Sequence, residues 1–154
     1  MMKKLKIGSL TPDFELPDQD GQPFRIKQHL GNKNLVIFFY PKDETHGCTM
    51  EACTFRDAYE DFKEYNAEII GISNDGTESH RSFADNHRLP FTLLSDPDGK
   101  VRNLFGVPRS FLGLLPGRTT YIINKEGRIV HIFNNQVDAR KHVEIALEIL
   151  KKLN

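Results

Sequence analysis

The sequence has no excess charge of either sign, because 21 lysines and arginines balance 21 aspartates and glutamates. Proteins that bind nucleic acids or anionic membranes usually do so through a net basic field. The sequence also lacks an apolar run of about 18 residues, which a transmembrane helix needs. We therefore expect neither a nucleic acid nor a membrane as a partner.

The first residues of the sequence do not have the pattern expected of a targeting segment. Lys3 and Lys4 supply the charge that opens a signal peptide, but no apolar stretch of about seven residues follows them. Nor is this start rich in arginine and serine, as a transit segment would be. We therefore expect a cytoplasmic protein, and the length of 154 residues predicts one domain over residues 1–154.

The hydrophobic pattern predicts an α/β fold with a central mixed β-sheet flanked by α-helices and an N-terminal β-hairpin. Alternating apolar residues around Asp20-Gly21 indicate the hairpin. Residues 35–40 are apolar at every position, which is typical of a central strand covered on both faces. Further strands are predicted at 67–72, 91–94, 119–123 and 129–133, and helices at 48–65, 77–87, 101–105 and 138–153.

Cysteine is scarce: Cys48 and Cys53 are the only two, and they follow the buried strand directly. Paired cysteines of cytosolic proteins are more often catalytic or metal-binding than structural. Cys48 is predicted to open the helix, where free backbone N–H groups and the positive end of the dipole favour the reactive thiolate. Thr45 can place a hydroxyl beside this sulfur, and Pro41 fixes the backbone where the chain leaves the strand.

The spacing of the two cysteines imposes a mechanical constraint. Five residues of helix rise about 7.5 Å, so the two Cα atoms would lie about 8 to 9 Å apart. A disulfide requires Cα atoms within about 7 Å of each other. Bond formation between Cys48 and Cys53 therefore requires the first turn or two of the helix to unwind. Helical phase places Cys48 on the apolar face with Phe55, and Cys53 on the polar face with Arg56, nearer solvent.

The stretch YPKDETHGCTMEACTFRD at residues 40–57 resembles the active-site segment of peroxiredoxins, in particular the peroxiredoxin Q or bacterioferritin comigratory protein branch. Similar segments recur in the same order at 11–18, 71–73, 89–99 and 114–121. The resemblance implies a thioredoxin-like fold and thiol-dependent reduction of hydrogen peroxide and organic hydroperoxides, without a cofactor or a metal. One departure is His46, where many relatives have proline.

The same resemblance implies a role for each residue of the motif. Cys48 is the peroxidatic nucleophile, which becomes a sulfenic acid, and Cys53 is the resolving cysteine. Thr45 and Arg118 position the peroxide and stabilise charge on the leaving oxygen, and Pro41 belongs to the same site. Thioredoxin or a similar dithiol would then reduce the disulfide. The branch favours a monomer.

Other functions remain open on the residues alone. The chain could be a redox-sensing or binding module that signals through the Cys48–Cys53 disulfide. A metal site at His46, Cys48 and Cys53 is disfavoured because structural zinc needs four ligands and the fourth is not evident. A glutathione peroxidase is disfavoured because those enzymes use a tryptophan at their site, and this sequence contains none.

Several residues near the motif receive simpler interpretations. Glu51 is interpreted as a partner of the helix dipole rather than a catalytic acid. Arg109 is the alternative to Arg118 should the latter point away. The apolar residues 111–115 either join the core or leave a patch for an alkyl peroxide tail or a second subunit. The remaining histidines are interpreted as surface or core residues: His29, His80, His87, His131 and His142.

Overall fold

A computed structural model describes residues 5–109 and 116–153 of the chain. The strands are β1 (Glu15–Pro17), β2 (Pro23–Arg25), β3 (Asn34–Phe39), β4 (Ala67–Ser73), β5 (Thr92–Ser95), β6 (Thr119–Ile123) and β7 (Ile129–Asn134). The helices are α1 (His46–Asp57), α2 (Tyr59–Glu64), α3 (Thr77–His87), α4 (Lys100–Phe105) and α5 (Ala139–Leu153). Within the described ranges, no helix has both the length and the hydrophobicity needed to cross a bilayer. The apolar stretch 111–115 lies outside the described residues.

Five strands form one mixed sheet in the order β5-β4-β3-β6-β7. Strand β3 runs parallel to β4 and antiparallel to β6, so the carboxyl end of β3 meets the start of β6. Strands β1 and β2 form a separate antiparallel hairpin. The predicted α/β architecture, with its central mixed sheet and N-terminal hairpin, is therefore confirmed.

The central sheet has one apolar core on each face. Successive side chains of a strand point to opposite faces, so β3 contributes to both cores. Val36 and Phe38 pack with α1, α2, α3 and α5, and Cys48 is a member of this cluster. Ile37 and Phe39 pack on the other face with the N-terminal hairpin and α4. Every residue of β3 is buried, as the uninterrupted apolar run predicts.

The prediction of one unbroken helix over residues 48–65 is wrong in two respects, the position of its start and the absence of a break. The helix begins two residues earlier, at His46, and it is interrupted at Ala58, which separates α1 from α2. The apolar stripe continues across this break, since Phe55 and Phe62 belong to the same cluster. Because the periodicity is preserved, spacing alone does not reveal a break of one residue.

Gly117 lies where two backbone segments approach each other closely. A Cβ atom at this position would overlap the carbonyl oxygen of Pro108. Only a glycine lets the two segments approach so closely, and the next residue along the chain is Arg118.

We expect G117A to lower the free energy of unfolding by about 3 kcal/mol, because the added methyl group forces two backbone segments apart. Urea unfolding followed by circular dichroism measures the loss. G76S is the matched control, since the space around Gly76 is open and serine suits its N-cap position. A G117A variant as stable as the parent would contradict the expectation.

Candidate active site

Cys48 is the third residue of α1 and is only 1% exposed. The N–H of Thr49 donates to the carbonyl oxygen of Thr45 at 2.8 Å. The backbone N–H groups of His46, Gly47 and Cys48 therefore precede the hydrogen-bonded part of the helix. Together with the helix dipole, such groups favour an anion at this end of α1.

Arg118 precedes β6, is mostly buried, and contacts the sulfur directly. Its Nη2 donates to Cys48 Sγ at 3.4 Å, and its Nη1 donates to Glu51 Oε1 at 2.6 Å. Its Nε donates to the Gln136 carbonyl oxygen at 3.1 Å. Burial acts to lower the pKa of Arg118, but the negative charges of Glu51 and Cys48 outweigh it and raise that pKa. The structure thus brings together the two residues that the resemblance pairs.

Gly47 gives this guanidinium the room it needs. A Cβ atom at position 47 would lie 3.0 Å from Arg118 Nη2. A side chain there would press on the group that contacts Cys48. The glycine is therefore part of the site through the volume it leaves free.

Glu51 is fully buried and has a larger role than the sequence interpretation gave it. It fixes Arg118 through a 2.6 Å ion pair. Burial raises the pKa of Glu51 to about 7, and the charge of Arg118 opposes this rise. A signal for this contact exists in the sequence, because Glu51 follows Cys48 by three residues and so lies on the same side of the helix.

His142 on α5 lies behind Glu51 and is fully buried. Its Nδ1 is 3.6 Å from Glu51 Oε2, an oxygen without a hydrogen-bond partner among the described residues. Its Nε2 contacts the Asn135 carbonyl oxygen at 2.7 Å, and its Nδ1 contacts the Thr120 hydroxyl at 2.7 Å. Burial lowers the pKa of His142 to about 4, so the ring is neutral, with Nε2 donating and Nδ1 accepting. No local spacing in the sequence connects this residue to the site.

Thr45 is the N-cap of α1, although its side chain does not cap the helix. Its hydroxyl donates to the Lys42 carbonyl oxygen at 2.8 Å, so its proton is engaged and its lone pairs remain available as acceptors. Pro41 lies two residues after the end of β3 and is half-buried. Both residues thus lie on the loop between β3 and Cys48.

Cys53 lies further along the same helix and is half-buried. Both cysteines are free thiols, and α1 is continuous from His46 to Asp57. Burial raises the pKa of the Cys53 thiol, and the charge of Arg56 partly offsets that rise. In this folded state Cys53 is therefore a protonated and weakly nucleophilic group.

Asp43 anchors the loop before Cys48 through a buried hydrogen-bond network. Its carboxylate accepts from the Tyr40 hydroxyl at 2.6 Å and contacts His80 Nδ1 at 2.7 Å. Asp43, Asp75 and His80 form the group of potential metal ligands found in the described part of the chain. It shares no residue with the His46, Cys48 and Cys53 alternative. Its oxygens already accept hydrogen bonds from the protein, which is typical of a structural network.

The fold and this site define a thiol peroxidase, and comparison with known proteins agrees. Residues 7–132 match the AhpC/TSA family, so the chain belongs to that family. It is 49% identical to the chloroplastic peroxiredoxin Q of Sedum lineare, over 97% of this chain and 80% of that protein.

Solved structures give the same result. The peroxidoxin BcpB from Mycobacterium tuberculosis superposes with a TM-score of 0.89 at 39% identity, over 97% of this chain and 99% of that one. A structure from work on alkyl peroxide reduction by the Xanthomonas campestris bacterioferritin comigratory protein has a TM-score of 0.85 at 30% identity, over 97% of each chain. The thioredoxin-like fold, the peroxiredoxin Q branch and thiol-dependent peroxide reduction are thus confirmed.

The cytoplasmic location expected from the sequence is wrong. The Sedum lineare protein is chloroplastic, as are other curated relatives of this chain. The expectation relied on the composition of the first residues. The residues that determine the fold and the site carry no information about the compartment.

We expect His142 to make stability depend on pH. Unfolding returns its pKa from about 4 to its ordinary value of 6.5, so the unfolded chain binds the extra proton between these limits. This contribution is complete above pH 6.5 and is lost as the pH falls towards 4, by about 1.4 kcal/mol per pH unit. Glu51, whose pKa is raised, acts in the opposite direction from pH 4.5 to 7.

Urea unfolding of the parent and of H142Q between pH 4 and 7.5 isolates the contribution of His142 to the pH dependence of stability. The stability of H142Q should fall less steeply with acid than that of the parent. H131Q is the control, because His131 is only half-buried. Equal slopes for the parent and H142Q would rule out a neutral, buried His142.

Proposed function

We propose that this peroxidase uses Cys48 as its peroxidatic nucleophile and Cys53 as its resolving cysteine. The observation that carries the proposal is the 3.4 Å contact from Arg118 Nη2 to Cys48 Sγ at the start of α1. A buried sulfur beside a fixed cation and free N–H groups suits a thiolate that attacks a small electrophile.

In the first step, the Cys48 thiolate attacks the terminal oxygen of a hydroperoxide. An S–O bond forms and the O–O bond breaks, and its electron pair leaves on the second oxygen. That oxygen takes a proton and departs as water or an alcohol, while Cys48 becomes a sulfenic acid. Arg118 stabilises the negative charge on the departing oxygen, and Glu51 keeps its guanidinium in place.

Thr45 and Pro41 shape the peroxide end of this site. Because the Thr45 hydroxyl group donates its proton to the Lys42 carbonyl oxygen, the lone pairs of the hydroxyl oxygen can accept a hydrogen bond from the O–H of the peroxide. Pro41 fixes the backbone at the end of β3 and so sets the start of this loop. Both roles position the peroxide oxygen in line with the sulfur.

In the second step, Cys53 attacks the sulfenic sulfur and water leaves as the disulfide forms. The continuous α1 holds the two Cα atoms about 8 to 9 Å apart, so its first turns must open. Opening also exposes Cys53 to water, which removes the burial that keeps it protonated. Unwinding thus shortens the distance between the sulfurs and activates the attacking thiol.

A thioredoxin-like dithiol then returns two electrons and two protons to the disulfide. Organic hydroperoxides are proposed as substrates beside hydrogen peroxide, supported by the alkyl peroxide reduction of the Xanthomonas campestris relative. A monomer stays the prediction for the oligomeric state, and light scattering after size-exclusion chromatography tests it.

Substitution of each cysteine separates the two steps. We expect C48S to consume no peroxide, and C53S to react once and stop at a sulfenic acid that dimedone traps. The parent treated with one equivalent of peroxide should contain the disulfide and exchange the amide hydrogens of its first α1 turns faster than before. Oxidised C53S is the matched control and should retain its protection. A disulfide formed without any change in exchange would contradict the required unwinding.

Turnover distinguishes the peroxidase from a redox-sensing module. With a thioredoxin system present, a peroxidase consumes many equivalents of peroxide per chain. A sensor would oxidise once and cycle poorly. Cys48 oxidation in stopped flow no faster than that of free cysteine would refute the peroxidase.

We expect R118K to slow the reaction with peroxide by about 100-fold, because lysine keeps the charge but loses the fork of directed donors. R56K is the matched control, since Arg56 lies on the same helix as Cys53 and donates to the His87 carbonyl oxygen. Stopped-flow oxidation rates measure the effect. An unchanged rate for R118K would mean that the directed hydrogen bonds of Arg118 are not used.

A further inference from the structure

Arg102 on α4 is a buried cation for which the proposed function has no role. It is 6% exposed, and among residues 5–109 and 116–153 it has no ion pair with a carboxylate. Burial lowers the pKa of Arg102, and the charges of Asp96 and Cys48 act against this. Its Nε also lacks a hydrogen-bond partner within the described residues. A buried charge this poorly compensated is costly, so its place in the core needs an explanation.

The two ends of its guanidinium bind the two chain segments that form the active site. Nη2 donates to the Tyr40 carbonyl oxygen at 2.8 Å, and Nη1 donates to the Gly117 carbonyl oxygen at 2.7 Å. Tyr40 is the residue from which the loop to Cys48 departs, and Gly117 is followed directly by Arg118. One planar group thus connects the segment of the nucleophile to the segment of its cation.

This bridge lies just beyond the last paired residues of strands β3 and β6. The pairing of β3 with β6 ends at Phe39 and Thr119. Beyond this pair, Arg102 donates to one backbone carbonyl oxygen of each segment, that of Tyr40 and that of Gly117. The guanidinium carbon of Arg102 lies over the ring of Phe39, 5.7 Å from the ring centroid, which is a cation–π contact.

We propose that Arg102 is a positioning residue of the peroxide site, which sets the distance between Cys48 and Arg118 by bridging Tyr40 and Gly117. This inference rests on the proposed function, because it concerns the geometry in which Cys48 attacks the peroxide. A shift of about 1 Å between reacting groups can cost about 100-fold in rate. The hydrogen bonds of the Arg102 guanidinium go to backbone carbonyl oxygens, so Arg102 acts through the segments that it joins.

Two variants separate the bridge from the charge. R102K keeps a cation but cannot span both carbonyl oxygens in the plane of the fork, and R102A removes both properties. Each variant is oxidised by hydrogen peroxide in stopped flow and alkylated by iodoacetamide, a reagent that needs the thiolate but not the peroxide site. Thermal unfolding confirms that the protein compared is folded. R128Q is the control, because exposed Arg128 also donates to a backbone carbonyl oxygen, that of Gly8.

We expect the rate with peroxide to fall at least about 10-fold in R102K and about 100-fold in R102A. The rate with iodoacetamide should change less than about threefold in R102K, because alkylation of the thiolate does not depend on the distance between Cys48 and Arg118. Added guanidinium at millimolar concentration should restore part of the peroxide rate of R102A, and the same salt should leave R128Q unchanged.

The proposal is overturned if R102K reacts with peroxide at the parent rate, or if both reagents lose rate in parallel. The first result would mean that Arg102 contributes only its charge or a structural contact. The second would mean that Arg102 affects the reactivity of the Cys48 thiolate in general and not the geometry of the peroxide site. Should R102A fail to fold, the ratio of the peroxide rate to the iodoacetamide rate in R102K still tests the proposal. Failure of the proposed function itself is distinguishable, because the parent would then react slowly with peroxide.

Discussion

The contact between Arg118 and Cys48 is the interaction on which the rest of the site depends. It joins the start of β6 to the first turn of α1, and these segments are distant in sequence. Glu51 holds the other side of the guanidinium, and Gly47 leaves the space that it occupies. The strand order brings these parts together, because β3 and β6 are neighbours and the chain leaves one where it enters the other.

The same contact opposes the second half of the proposed reaction. A formed α1 presents its free N–H groups to Cys48 and keeps Glu51 on Arg118, but it also holds Cys53 too far away. Opening the first turns must break the Arg118 contacts and expose Cys48, which belongs to the apolar cluster. The helix that prepares the attack on peroxide therefore resists the disulfide, and the two states exclude one another.

Most of the fold follows from sequence periodicity, because the strands are buried runs and the helices carry continuous apolar stripes. The start of α1 and its interruption at Ala58 were missed, since neither changes the stripe. Cys48 and the need for unwinding follow from local spacing, whereas the pairing with Arg118 came only from the family resemblance. His142 and Arg102 reach the site from distant elements through long-range contacts, which no local pattern predicts.

The charge balance of the site follows from the burial of Glu51. A fully ionised carboxylate 2.6 Å from Arg118 would hold the guanidinium firmly but neutralise the charge that acts on the sulfur. Because burial raises the pKa of Glu51 to about 7, this carboxyl group can take up a proton much closer to neutral pH than an exposed glutamate can. Even when protonated it offers an acceptor oxygen, so Arg118 stays oriented. Burial of this one carboxyl group therefore lets the protein fix the position of its cation without fully cancelling the positive charge.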